Sequence, residues 1–346
     1  MNADFILAIG ELGKEKGIDP ELLFQAVEEA LVTAYKKNFG SNQNVRVDMN
    51  KVTGELHIYA QRHIVAEVGD DPNEISLEEA RKIDPRYEVD DIVETEVTPR
   101  NFGRIAAQNA KQVVVQRIRE AERGMVFEKF SSRENDIVTG IIQRMENKNV
   151  YIDLGKAEAI LTPNEQIPGE IYQYHDRMKT YIVEVKKTSK GPQIMVSRTH
   201  PGLLKRLFEL EVPEIHDGLV EIKSVAREPG MRSKISVYTK DENIDPVGAC
   251  VGHKGMRVQT IVNELRGEKI DIVKYSSEPD QYVANALSPA KVVSTEVLEE
   301  EKICRVIVPD YQLSLAIGKE GQNARLAAKL TGWKIDIKSE SQAAEE

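Results

Sequence analysis

Two four-residue stretches, Gly252-His253-Lys254-Gly255 and Gly318-Lys319-Glu320-Gly321, have the residue types and spacing to hold a phosphate chain. A glycine pair in a tight turn leaves no Cβ in the way of a nucleic-acid backbone. A helix starting at that turn aims its unpaired amides and positive dipole end at a phosphate. His253, Lys254 and Lys319 lie between the glycines, where they add charge or donors, and Arg257, Asn323 and Arg325 follow within the next turn. Glu320 puts a carboxylate inside the second stretch, so that loop is expected to rely on backbone amides and Lys319 more than on net charge. Side by side, two such turns would grip a single strand of about eight nucleotides, about four apiece.

An isolated Gly-x-x-Gly more often ends a helix or lets two helices cross, and "GELG" at Gly10 to Gly13 is read as such a turn. The later pair differs because its surroundings repeat as well. Gly252 and Gly318 are 66 residues apart, and each loop is followed by a helical composition, a glycine (Gly267, Gly332) and the strand "KIDI" at Lys269 and Lys334. The first copy also has a basic hairpin, "REPGMRSK", with Arg227, Arg232 and Lys234, where the second has the acidic "LEEEK". The first unit is therefore expected to contact more phosphates.

The elements that must position these loops can be read along the chain. Asp19 before Pro20 caps a helix whose Leu23, Val27, Ala30, Leu31 and Ala34 recur at helical spacing. "VRVDMN" and "ELHIYA" alternate around Gly54 as strands, Ser76 and Glu79 form a capping box, and a helix from Phe102 to about Lys129 is expected to break at Gly124. From Asp136, five short β runs in about 65 residues suit a small closed barrel of the OB type. On such a surface Tyr151 and Lys156 are the nominated RNA contacts, with Lys148, Arg177 and Lys179 nearby. "PGLLKRLFELEVPEI" is a helical connector ended by Pro213; two α/β units follow at roughly 215–276 and 280–340, and "SESQAAEE" reads as a frayed tail. The expected domains are 1–132, 133–200, 201–276 and 277–346.

Bulk composition limits the function. The 346 residues are 40% hydrophobic and 30% charged, with no run near the roughly 18 apolar residues of a membrane span and no secretion-signal layout, as expected of a cytoplasmic protein. The net charge of −10 is unevenly placed. Residues 1–132 carry 17 basic and 24 acidic side chains, the last eight residues add three glutamates, and residues 133–338 balance at 30 and 30. Cys250 and Cys304 sit among aliphatic residues as small buried hydrophobes, and the six histidines have no metal-ligand spacing, so no metal or cofactor is expected. No Gly-x-x-x-x-Gly-Lys-[Ser/Thr] loop occurs, which argues against an NTP-driven enzyme. A ribosome-associated or translational RNA binder is one function that fits these facts.

"DPVGACVGHKGMRVQ" and "LAIGKEGQNARLAAKLTGWKIDI" resemble the tandem KH modules of the NusA family of bacterial transcription elongation, termination and antitermination factors. "QIMVSRTHPGLLKRLFELEVPEI" is similar to that family's junction between barrel and first KH module, and the resemblance covers nearly the whole chain. It implies a multidomain α+β fold: an N-terminal α/β domain, an OB-fold β-barrel and two tandem KH domains of the prokaryotic type. It further implies that the N-terminal domain binds bacterial RNA polymerase and that the remainder contacts single-stranded nascent RNA. Other elongation or antitermination factors are implied as further partners, with the chain a monomer that engages no membrane. Some family members carry acidic repeats after the second KH unit, and this sequence has none before its last residue, Glu346.

Overall fold

Ala3–Lys16 forms α1 and Pro20–Phe39 forms α2, and the break between them has a local cause. Gly17 turns the chain at φ 68°, the Asp19 carboxylate accepts from the Glu21 N–H at 2.9 Å, and Pro20 occupies the first helical position. The Gly10 to Gly13 stretch is accordingly not a turn. It lies inside α1, where Gly13 is buried and a Cβ would meet the Ile18 carbonyl at 3.0 Å. This computed structural model describes residues 3–39, 42–69 and 71–344.

The chain divides into two compact units between Met125 and Val126. In the first, β1 (Asn44–Met49) buries every second residue and pairs antiparallel with β2 (Leu56–Val65). Strand β3 (Glu74–Ser76) pairs parallel with β2 and leads into α3 (Leu77–Ile83), whose Ser76 cap accepts from the Glu79 N–H. Antiparallel β4 (Ile92–Glu96) completes the sheet. Helix α4 (Phe102–Ser131) buries Phe102, Ala106, Ala110 and Val114 with Leu23, Val27 and Leu31 of α2. It runs on through Gly124, contrary to the expected interruption. A lone glycine costs a helix only about 1 kcal/mol, and the apolar residues on both sides outweigh that.

The second unit opens with a closed barrel of β5 (Ile137–Glu146), β6 (Asn149–Asp153), β7 (Glu158–Leu161), β8 (Arg177–Thr188) and β9 (Gly191–Ser197), in the order β5-β6-β7-β9-β8. Ile142, Ile152, Leu161, Ile182 and Val196 fill it, and Phe127 and Phe130 at the end of α4 pack on it. Helix α5 (Pro201–Glu211) follows, and Pro213 ends it while opening the single turn α6 (Pro213–His216).

Two copies of one α-β-β-α-α-β unit complete the chain. The first adds β10 (Glu221–Glu228), β11 (Arg232–Tyr238), α7 (Pro246–Val251), α8 (Met256–Glu264) and β12 (Lys269–Lys274) to α5. The second has α9 (Pro279–Ala286), β13 (Ser294–Leu298), β14 (Ile303–Val308), α10 (Leu313–Ile317), α11 (Gln322–Thr331) and β15 (Lys334–Ser339). Both "KIDI" strands pair parallel with the middle strand in the same register, Lys234 opposite Asp271 and Arg305 opposite Asp336. Ala226 and Val273 of the first unit belong to the same apolar cluster as Tyr282, Val283, Leu326 and Leu330, so the second unit's helices cover one face of the first unit's sheet. The tail is not frayed over its described part. Glu340–Ala344 forms α12, with Ser341 hydrogen-bonded to Asp310; Glu345 and Glu346 lie outside the described residues.

Candidate nucleic-acid interface

Asp245 caps α7 by accepting from the Val247 N–H at 3.1 Å, and α7 runs into the first glycine turn. Gly252 ends it at φ 73°, ψ 177°; a short 3-10 turn over His253–Gly255 follows, with Lys254 at φ 50°, ψ 27° and Gly255 at φ 78°, ψ 12°. The second loop repeats this within a few degrees: Gly318 at 77°, 170°, Glu320 at 54°, 27° and Gly321 at 74°, 13°. The 66-residue repeat is therefore a repeat of backbone conformation.

The two glycines of each loop do different jobs. A Cβ on Gly252 would lie 2.6 Å from Arg257 Cγ, and one on Gly318 would lie 2.8 Å from the Asn323 nitrogen, whereas Gly255 and Gly321 face open space. The first glycine lets the second helix close in, and the second bares the surface above that helix's start. Gly252→Ala is expected to lose about 3 kcal/mol or more, since it adds overlap to a backbone region open only to glycine. Gly255→Ala should lose about 1 kcal/mol, the left-handed strain alone. Chemical denaturation of the two variants checks the difference.

His253, Lys254, Lys319 and Glu320 are exposed at the loop tips. Among the described residues the first three have no hydrogen-bond or ion-pair partner for their side chains. Two exposed turns, each with an unpaired lysine and each followed by a helix of nine or ten residues that starts at the loop, are an arrangement that can hold a polyanionic backbone.

Several residues assigned to this surface belong to the interior instead. Arg227 is buried: its guanidinium makes paired bonds to Glu268 at 2.9 Å each and donates to the His200 carbonyl. Lys234 is fully buried, donating to Asp271 at 2.9 Å and to the Ser288 carbonyl at 2.8 Å. Burial pushes its ammonium below the usual lysine range, with Asp271 pulling the other way. Arg232 makes a paired contact with Asp271 at 2.8 and 2.9 Å. The basic hairpin is thus a network of ion pairs, with Arg227 and Lys234 buried and Arg232 taken by Asp271, contrary to the expected cationic surface.

Asn323 is buried as well, donating to the Leu287 and Ala316 carbonyls at 3.0 Å, while its Oδ1 has no partner among the described residues. Arg257 occupies the same place in the first loop. It donates to the Ala249 carbonyl at 2.6 Å and to Glu214 at 2.9 Å, fastening the two helices together rather than reaching outward. Arg325 is half exposed but held by Glu228 at 2.6 Å.

On the barrel, Lys156 is exposed and Tyr151 points outward between buried Val150 and Ile152. Lys179 is taken by Glu264 at 3.0 Å. Beside Tyr151 lies Arg144, which sequence reasoning did not single out; its guanidinium is 4.0 Å from the Tyr151 ring centroid and also donates to Glu158 at 2.8 Å. Counting back from the Asn147-Lys148 turn pairs Arg144 with Tyr151, so the signal was present. Tyr311, just before α10, is 80% exposed.

Four sequence-family models match the chain: the NusA N-terminal domain over residues 4–124, the S1 RNA binding domain over 131–197, the NusA-like first KH domain over 198–275 and the NusA-like second KH domain over 279–345. The transcription termination/antitermination protein NusA of Halalkalibacterium halodurans is 66% identical over 345 residues, spanning 100% of this chain and 90% of that protein. Its namesake in Bacillus subtilis is 65% identical over 100% of this chain and 93% of its own length. That of Thermus thermophilus is 42% identical over 97% and 89%. Among solved structures, the N-terminal domain of NusA from B. subtilis matches 36% of this chain and 99% of its own at 55% identity, with a TM-score of 0.33.

Proposed function

The chain belongs to the NusA family, and from that membership we propose an RNA-binding transcription factor that holds single-stranded nascent RNA while docked on bacterial RNA polymerase. Its relatives are transcription termination/antitermination proteins, and the chain is a factor of that kind rather than an enzyme. Nascent RNA is gripped at Gly252–Gly255 and Gly318–Gly321, through His253, Lys254 and Lys319, with Tyr151, Arg144 and Lys156 meeting the strand on the barrel. The N-terminal domain, residues 1–132, attaches to polymerase, so that the grip alters pausing, intrinsic termination and antitermination. Residues 133–200 supply the barrel, 201–276 the first KH domain and 277–346 the second. Other elongation or antitermination factors join on the same complex, and the chain acts as a monomer in the cytoplasm.

The observation that carries the RNA half is the repeated, exposed loop geometry. The polymerase half is supported by the charge of the leading domain, 17 basic against 24 acidic residues, which suits a protein partner better than a polyanion. In bacterial lysate, residues 1–125 are expected to recover polymerase subunits and bind little RNA, and residues 126–346 to do the reverse. The opposite partition would overturn the reading. Recovery of ribosomal subunits without polymerase would point to a translational factor instead.

A further inference from the structure

Two clamps on one strand help each other only when their separation matches the strand, because the second contact then forms at a high effective concentration. What sets that separation here is how α11 lies on the first KH domain. Its far end is fixed by packing: Leu326 and Leu330 share a core with Ala226 and Val273, and the Tyr282 hydroxyl lies 2.8 Å from Ser236 Oγ and 3.1 Å from the Leu330 carbonyl oxygen. Its near end, where the loop opens, is fixed to its own unit by buried Asn323 and to the first KH domain by a polar tether. Glu228, at the end of β10, is mostly buried and uses both carboxylate oxygens on the first turn of α11, accepting from Arg325 Nε at 2.6 Å and from Gln322 Nε2 at 2.8 Å. Arg325 in turn donates to the Glu320 carbonyl, inside the loop, at 3.2 Å.

Building on the proposed grip, we infer that Glu228 is the positioning residue that holds the second Gly-x-x-Gly loop at a fixed distance from the first, so that one RNA strand engages both. It acts through Arg325 and Gln322 and does not itself touch RNA. The lever is considerable. Nine residues of helix from Gln322 to Leu330 are roughly 13 Å long, so a tilt of about 10° about the packed end shifts the loop by about 2 Å, whereas productive contacts need about 0.5 Å. Arg325 holds the Glu228 carboxyl below the usual glutamate range, so the tether is charged at neutral pH. The first loop is held by the same device, Arg257 to Glu214 in α6 at 2.9 Å.

Binding of a ten-nucleotide single-stranded RNA to the full chain tests this in two backgrounds: the native protein, and one whose second loop is disabled by Lys319→Asp with Gly321→Asp. Gly321 faces open space and aspartate tolerates its left-handed backbone, so this background keeps its fold. Glu228→Ala is expected to weaken binding about tenfold in the native background, because the second loop no longer meets the strand at a high effective concentration, and less than twofold in the disabled one. An equal weakening in both backgrounds would mean that Glu228 merely supports the fold, and no change in either would mean that it positions nothing; each overturns the inference. If disabling the second loop alone leaves affinity unchanged, the two-loop grip itself is wrong, and the inference falls with it.

Discussion

Replacing His253 and Lys254 together with aspartate should weaken binding of single-stranded RNA by about ten- to a hundredfold and flatten its salt dependence by about 0.7 in the log–log slope, the share of the one phosphate that Lys254 no longer neutralises. Both side chains are exposed and have no partner among the described residues, so the change removes local cationic character and adds two anions where the strand must pass. The fold should survive. Lys254 sits at φ 50°, a region that aspartate visits more readily than most residues, so no new backbone strain enters. Binding titrations across a salt series give both quantities, and an unchanged circular dichroism melt excludes unfolding as the cause. Unchanged affinity with an unchanged slope would remove the first loop from the interface. The same double change on Lys319 and Glu320 starts from a loop with no net charge, so its effect should be smaller.

The loops were legible in the sequence because their signal is local and repeated: a glycine pair, a helix and a strand in the same order twice. The barrel was legible for the same reason, as five short strands with turns between them. The basic hairpin was misread because its fate depends on a distant contact. Arg232 and Lys234 share one face of β11, and nothing near them in sequence shows that α9 and α11 cover that face. Small and apolar residues on the same sheet, Ala226, Ser236 and Val273, were the available hint that something packs there. Asn323 and Arg257 were misplaced for a subtler reason. They lie in the first turn of their helices, close to the loop, but the tight approach at Gly252 and Gly318 turns them back against the preceding helix. Glu228 was invisible altogether, since its partner Arg325 is 97 residues away.

The largest loss of stability is expected from Glu268→Ala, because it strands a buried cation. Four donors converge on this fully buried carboxylate: two from Arg227 at 2.9 Å, the Ser233 hydroxyl at 2.6 Å and the Gly230 N–H at 2.9 Å. Removing it leaves the Arg227 guanidinium in the interior without its counter-charge, a loss of about 3–5 kcal/mol. Arg227→Met combined with Glu268→Met should regain most of that, because an apolar pair of similar volume has no charge to desolvate. Hydrogen exchange on the amides of β10, β11 and β12 reads the effect locally, which is needed in a chain of several domains that does not unfold in one step. The pH dependence has a definite sign. Burial raises the Glu268 carboxyl, but its donors together outweigh burial and hold it below the usual glutamate range. Its contribution is therefore complete at neutral pH, above the unfolded-state value, and is lost as pH falls through the depressed folded value. Protection in these strands should fall with acid in the native chain, and this component should be missing in the double-methionine variant. If Glu268→Ala left protection intact, Arg227 would have found water or another anion, and the junction between connector and first KH domain would be looser than its hydrogen bonds indicate.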